Sequence, residues 1–136
     1  MKNPKQFVFK NLHLLVSSFL ILIIGLTYGV FPSEILHKLF DFKVETTDLK
    51  QVFRATMGLY LSMVFLWTVG VFKPKFWTTA TISNIVFMGG LTIGRLLSFL
   101  LDGVPSPYFV GGFLLEITLC LWGIFNLKRY SKDTKT

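Results

Sequence analysis

Phe76 to Leu101 is an apolar run of 26 residues broken by one charge, Arg95. As a helix it would extend roughly 39 Å at about 1.5 Å per residue, more than the ~30 Å hydrocarbon thickness of a bilayer. Three more runs accompany it, Leu12–Val30, Val52–Phe72 and Tyr108–Leu127. The four take up 86 of the 136 residues, which leaves too little chain for a soluble domain. A bilayer admits only structures that satisfy their own backbone hydrogen bonds, and runs of this length do so as helices. The sequence therefore predicts an all-α, polytopic membrane protein. It is a single domain over 1–136, a four-helix bundle with spans at about 12–30, 52–72, 76–101 and 108–127.

The net charge of +7 raises the question of nucleic acid. The charges argue against it, because they gather at helix ends. Lys2, Lys5, Lys10, Lys73, Lys75, Lys128, Arg129, Lys132 and Lys135 all fall on one side of the predicted topology. The other side has Lys38, Lys43 and Lys50 set among Glu34, Asp41, Glu45 and Asp48. The positive-inside rule then places both termini in the cytoplasm, in a cell inner membrane, with basic tails against anionic headgroups. The first run is too long for a signal peptide and no small-residue cleavage site follows it, so it reads as a retained span. Cys120, the single cysteine, sits inside the fourth run and reads as an apolar filler. No Cys/His metal spacing and no cofactor fingerprint is present, so neither a metal nor a cofactor is expected.

Local signals set the connections. Residues 1–11 read as a basic arm, and Pro32 ends the first helix. Residues 33–42 carry Ile35, Leu36, Leu39 and Phe40 on one helical face and Glu34, His37, Lys38 and Asp41 on the other. That pattern predicts a short amphipathic helix at the interface, with His37 solvated. Tyr28 reads either as an interfacial anchor or as the roof of a pocket at that level. Asp48 and Gln51 read as a capping box opening the second span. Gly58, on a face with Arg54, Leu61 and Phe65, is expected to let a neighbouring helix approach, as is the pair Gly90 and Gly94. Lys73-Pro-Lys75 is a tight turn, and Asp102-Gly-Val-Pro-Ser-Pro107 a sharp one. The residues after Ser131 read as a disordered tail.

In the third span Asn84, Met88, Leu91, Arg95, Ser98 and Asp102 recur at steps of three and four, so its polar residues form one stripe. An ionisable group in hydrocarbon costs roughly 2.5–3.5 kcal/mol on insertion scales and faces the bundle interior. The partner for Arg95 is Glu116, the one acid inside any of the runs, flanked by Gly112 and Gly123. On the predicted topology Arg95 is roughly 9 Å and Glu116 roughly 12 Å below the outer ends of their helices, at about 1.5 Å per residue. Arg54 lies near the same level. Arg54, Arg95, Asp102 and Glu116, with Asn84 and Ser98 extending the polar wall, are the candidate ligand-binding residues. An internal clamp, with Arg95 on Glu116 and Arg54 on Asp102, accounts for the same residues.

Two elements, Phe53-Arg-Ala-x-Met-Gly-Leu-Tyr60 and Met88-Gly-Gly-x-x-x-Gly-Arg95-x-x-Ser98-x-x-x-Asp102-Gly-x-Pro-Ser-Pro107, resemble the domain of unknown function 4345 family. The resemblance covers nearly the whole chain and includes a helix-four acid at Glu116. It implies a small four-helix bacterial membrane protein and brings no activity. The plan is more distantly similar to DoxX-like proteins, some of which associate with redox or quinone-linked complexes. Three functions follow. The first is binding of a small anionic molecule or lipid headgroup by Arg54 and Arg95, a spare guanidinium suiting a carboxylate or phosphate. The second is an accessory subunit with a membrane-protein partner or as a homo-oligomer. The third is a lipid- or isoprenoid-modifying enzyme using Glu116 or Asp102, disfavoured because no catalytic set accompanies the acids and His13 is remote from them.

Overall fold

The structure, a computed structural model, describes residues 4–40 and 42–131, with side chains from Gln6 onward. It comprises α1 (Pro4–Gly29), α2 (Pro32–Leu39), α3 (Thr47–Phe72), α4 (Trp77–Asp102) and α5 (Pro107–Tyr130), with a 3-10 turn at Pro74–Phe76. α1, α3, α4 and α5 are each long and apolar enough to cross a membrane, which makes this a multi-pass membrane protein. Asp41, the lysines at 2, 132 and 135, and the expected tail after Ser131 lie outside the described residues.

The bundle is two helix pairs, α1 on α3 and α4 on α5, joined along α3 and α4 and where α1 meets α5. The first and last described residues and the Lys73–Lys75 turn share one end of the bundle. α2 and the Gly103 turn share the other, called here the loop end. Gly103 takes φ +92°, which glycine adopts at no steric cost and which lets the chain leave α4 sharply for α5.

Three boundaries differ from the sequence reading. α1 begins at Pro4, so most of the expected basic arm is helix. Asn11, buried in the bundle, shows why, because this first stretch packs on neighbours and is not left in water. The N-cap of α3 is Thr46, whose side chain accepts from the Leu49 amide at 3.2 Å, so Asp48 falls in the first turn and no reciprocal capping box forms. α2 stops at Leu39, where Phe40 turns to extended backbone (φ −127°, ψ 157°). It is also more than an interfacial strip, since Leu36 is fully buried and the Ser33 hydroxyl donates to the Val44 carbonyl at 2.8 Å.

The glycines that permit close helix contact are not the expected ones. A methyl group at Gly58, Gly90 or Gly94 would meet nothing within 4 Å. α3 turns Tyr60, Trp67 and Gly70 inward instead, which carries Gly58 and Phe65 to the outer surface. A Cβ at Gly25 would stand 3.1 Å from the Tyr60 Cβ, and one at Gly70 would overlap the Ala80 Cβ. Gly70→Ala is therefore expected to lower stability by about 1–3 kcal/mol through overpacking of α3 against α4. Gly90→Ala should leave the monomer unharmed or slightly firmer, because alanine is the better helix former. Thermal unfolding of the two variants in detergent, followed by circular dichroism, makes the comparison.

Candidate functional site

Three helices each turn one stripe toward a common axis at the loop end. α1 supplies Ile21, Ile24 and Tyr28, α4 supplies Met88 and Arg95, and α5 supplies Gly112, Glu116 and Leu119. These positions repeat at steps of three, four and seven, the spacing that keeps side chains on one helical face. Together with Leu39, Phe40, Tyr108 and Phe109 they line a cavity of about 210 Å³. That is below the ~300–1,000 Å³ usual for sites that hold a drug-sized ligand, so the space suits a small group.

Arg95 and Glu116 meet in its wall. The Arg95 Nε–H lies 2.8 Å from one Glu116 carboxylate oxygen and 3.0 Å from the other. The Glu116 side chain is 6% exposed and that of Arg95 20%. A guanidinium has five N–H donors, and this pair uses the Nε–H. The rest of the group extends across the cavity wall. Its Cζ lies 5.3 Å from the centre of the Phe109 ring, a cation–π distance. Its Nη2 comes 3.4 Å from where a Cβ at Gly112 would stand. Glycine at 112 thus makes the room that the guanidinium occupies.

An aromatic cover closes the loop end. Phe40 stacks on Phe109 with ring centres 4.6 Å apart and meets Tyr28 edge-on at 6.4 Å. Tyr28 also packs against Phe53 at 5.9 Å and Tyr60 at 6.0 Å. Of the two readings open for Tyr28 in the sequence, lining the cavity is the one observed.

The remaining candidates stand apart from this pair. Arg54 is exposed on α3, on the same outward face as Gly58, and no ion pair joins it to Asp102 among the described residues. Asp102 is exposed and accepts from the Ser98 hydroxyl at 2.9 Å, one turn earlier on its own helix. Asn84 is fully buried, but eleven residues from Arg95 and therefore roughly 16 Å away at about 1.5 Å per residue. It belongs to the other half of the bundle, where its Oδ1 stands 3.5 Å from a Cβ position on Gly123. The shared stripe on α4 is real, but its upper end passes out of the bundle beyond Arg95.

Phe109 at the cavity was not singled out by charge or motif, and Gly112 was legible only as a small residue on the Glu116 face. Phe40 belongs to a segment whose apolar face was legible, but which cavity it would cover was not. Cys120 is partly buried, with its Sγ 3.6 Å from the Ile85 carbonyl. No cluster of His, Cys, Asp and Glu able to hold a metal ion exists among the described residues.

The sequence model of the family described as Domain of unknown function (DUF4345) matches residues 9–127. No curated protein matches the chain. No solved structure matches it either.

Proposed function

The chain belongs to the family of the domain of unknown function DUF4345, and from that premise we propose that it is a membrane protein that binds a small anionic molecule or a lipid headgroup in the loop-end cavity. Arg95 is the binding group and Glu116 its positioning partner. The observation that carries the reading is the one-sided engagement of the guanidinium. The carboxylate takes the Nε–H, the Tyr28 hydroxyl also stands within hydrogen-bond reach of the guanidinium, and Arg95 lines a cavity large enough for a carboxylate or phosphate group. Planar, multiply donating recognition of such groups is what arginine does better than lysine. Arg54, Ser98 and Asp102, exposed near the same end, would meet a ligand only as it approaches. Asn84 has no part in this site.

The excess of lysine and arginine at the end holding the chain termini supports a topology with both termini cytoplasmic in an inner membrane. The cavity then opens on the far side. A second reading, an accessory subunit or homo-oligomer, draws on the open surfaces at Gly58, Gly90 and Gly94, where small residues leave room for a helix from another chain.

Native mass spectrometry after gentle extraction tests the first reading. Wild type should carry a bound anion or lipid. Gly112→Val, which crowds the guanidinium from outside the ion pair, and the paired change Arg95→Gln with Glu116→Gln should both lose it. Bare wild-type protein would reduce the pair to a structural clamp and overturn the proposal. A stoichiometric protein partner on wild type would favour the second reading.

A further inference from the structure

Below the cavity the same three helix faces continue toward the end that holds the termini, and there they turn polar. α1 contributes His13 and Ser17, α4 contributes Trp77, Thr81 and Asn84, and α5 contributes Asn126. His13, Ser17, Thr81 and Asn84 are 0% exposed, Trp77 1% and Asn126 2%. Contacts tie them into one seam. The His13 ring stands edge-on to Trp77 with centres 6.3 Å apart, and the Asn126 Nδ2 lies 2.8 Å from His13 Nδ1. Asn84 reaches the α5 backbone at Gly123, one turn above Asn126.

Nearly every member of this seam has a polar atom with no protein partner. They are His13 Nε2, Ser17 Oγ, Trp77 Nε1, Thr81 Oγ1 and both Asn84 amide atoms. Asn126 Nδ2 also donates to the Lys10 carbonyl at 3.4 Å. That leaves one imidazole nitrogen, one indole N–H, two hydroxyls and a whole amide along one axis. A buried donor or acceptor without a partner costs about 1–3 kcal/mol. Six such atoms would be prohibitive in a dry bundle, whereas one water molecule can serve two to four of them.

Three apolar side chains separate the seam from the cavity. Ile21, Met88 and Leu119 are 2%, 0% and 2% exposed and form the cavity floor. At the other end the seam finishes beside Lys10, whose ammonium lies 4.3 Å from the Trp77 ring centre.

We propose that the seam is a water-binding half-channel. It enters beside Lys10 and Trp77, runs past His13, Ser17 and Thr81 to Asn84, and is closed by the Ile21, Met88 and Leu119 layer beneath Glu116. The bundle thus has a polar seam at one end, a polar-walled cavity at the other and a single apolar layer between them, a layout suited to controlled passage of protons or water.

Cysteine accessibility tests this. On a Cys120→Ala background, Ser17→Cys, Thr81→Cys, Met88→Cys and the lipid-facing Val86→Cys are treated in reconstituted vesicles with the membrane-impermeant 2-(trimethylammonium)ethyl methanethiosulfonate, added only at the face that holds the chain termini. Thiols react as thiolates, which form in water. Thr81→Cys and Ser17→Cys should be modified at least tenfold faster than Val86→Cys and Met88→Cys. Equal, slow labelling at all four positions overturns the half-channel. Fast labelling at Met88→Cys as well overturns the closing layer. Radiolytic hydroxyl-radical footprinting of the wild type provides a readout free of substitutions. Trp67 and Trp77 are both fully buried, but Trp67 Nε1 donates to the Ser83 hydroxyl at 3.1 Å whereas Trp77 Nε1 faces the seam. Bound water predicts oxidation of Trp77 well above Trp67, and equal protection of the two would contradict it.

Discussion

Arg95→Leu is expected to destabilise the bundle by about 3–5 kcal/mol, the cost of leaving one member of a buried ion pair alone. Glu116 is 6% exposed and its short side chain sits well below the end of α5, so the carboxylate reaches water only through the small cavity it lines. Glu116→Leu should cost less. The guanidinium it strands is already 20% exposed, lines an open cavity and can extend toward the interface along its own flexible stem. Changing both residues to leucine should recover most of the loss, because an apolar pair of similar volume satisfies the same helix surfaces. The coupling energy comes from chemical unfolding of the four proteins of the cycle in one detergent. Additive single effects would mean that the pair contributes nothing beyond its two separate positions. The proposed binding role makes an opposite demand on the same cycle, since the leucine pair should fold and yet carry no anionic ligand.

The four spans were legible because their lengths and apolar content leave no alternative in water or in lipid. The Arg95–Glu116 contact was legible for a related reason, as two isolated charges at one depth have few other partners. Arg54 was placed by depth alone, and the structure leaves it exposed on α3. Depth follows from counting residues, but the direction of a face depends on which neighbours α3 chooses, and α3 met α1 through Tyr60 and α4 through Trp67. The small residues misled for that reason, Gly58 and Gly94 being as close-packing in sequence as Gly25 and Gly70. The polar seam went unread for a different reason. His13, Ser17, Thr81 and Asn126 are individually ordinary in long apolar helices, and only the convergence of three helices makes them a group. A clue was present, since His13 and Ser17 sit one turn apart on the face that also carries Tyr28.

Asn126 makes long-range bonds across that convergence. Its amide links α5 to both the His13 ring and the Lys10 carbonyl, 113 and 116 residues earlier. Asn126→Leu removes both bonds and takes its partner from the His13 ring, while the Lys10 carbonyl keeps its place in the α1 hydrogen-bond ladder. The expected loss is about 1–3 kcal/mol, the cost of one buried polar group left without its partner. The effect should be local as well as global. The first turns of α1 are held at this end by the Asn126 bonds and by the Lys10 contact with Trp77. Their amides should therefore exchange with deuterium faster in the variant, while those near Gly25 stay protected by the close contact with Tyr60. Adding His13→Leu should restore most of the loss, because it removes the ring that the first change leaves without its partner. Uniform acceleration along α1 would show that the Asn126 bonds hold the whole helix and not its end. No change anywhere would place water, already bound in the seam, in the role the amide had filled.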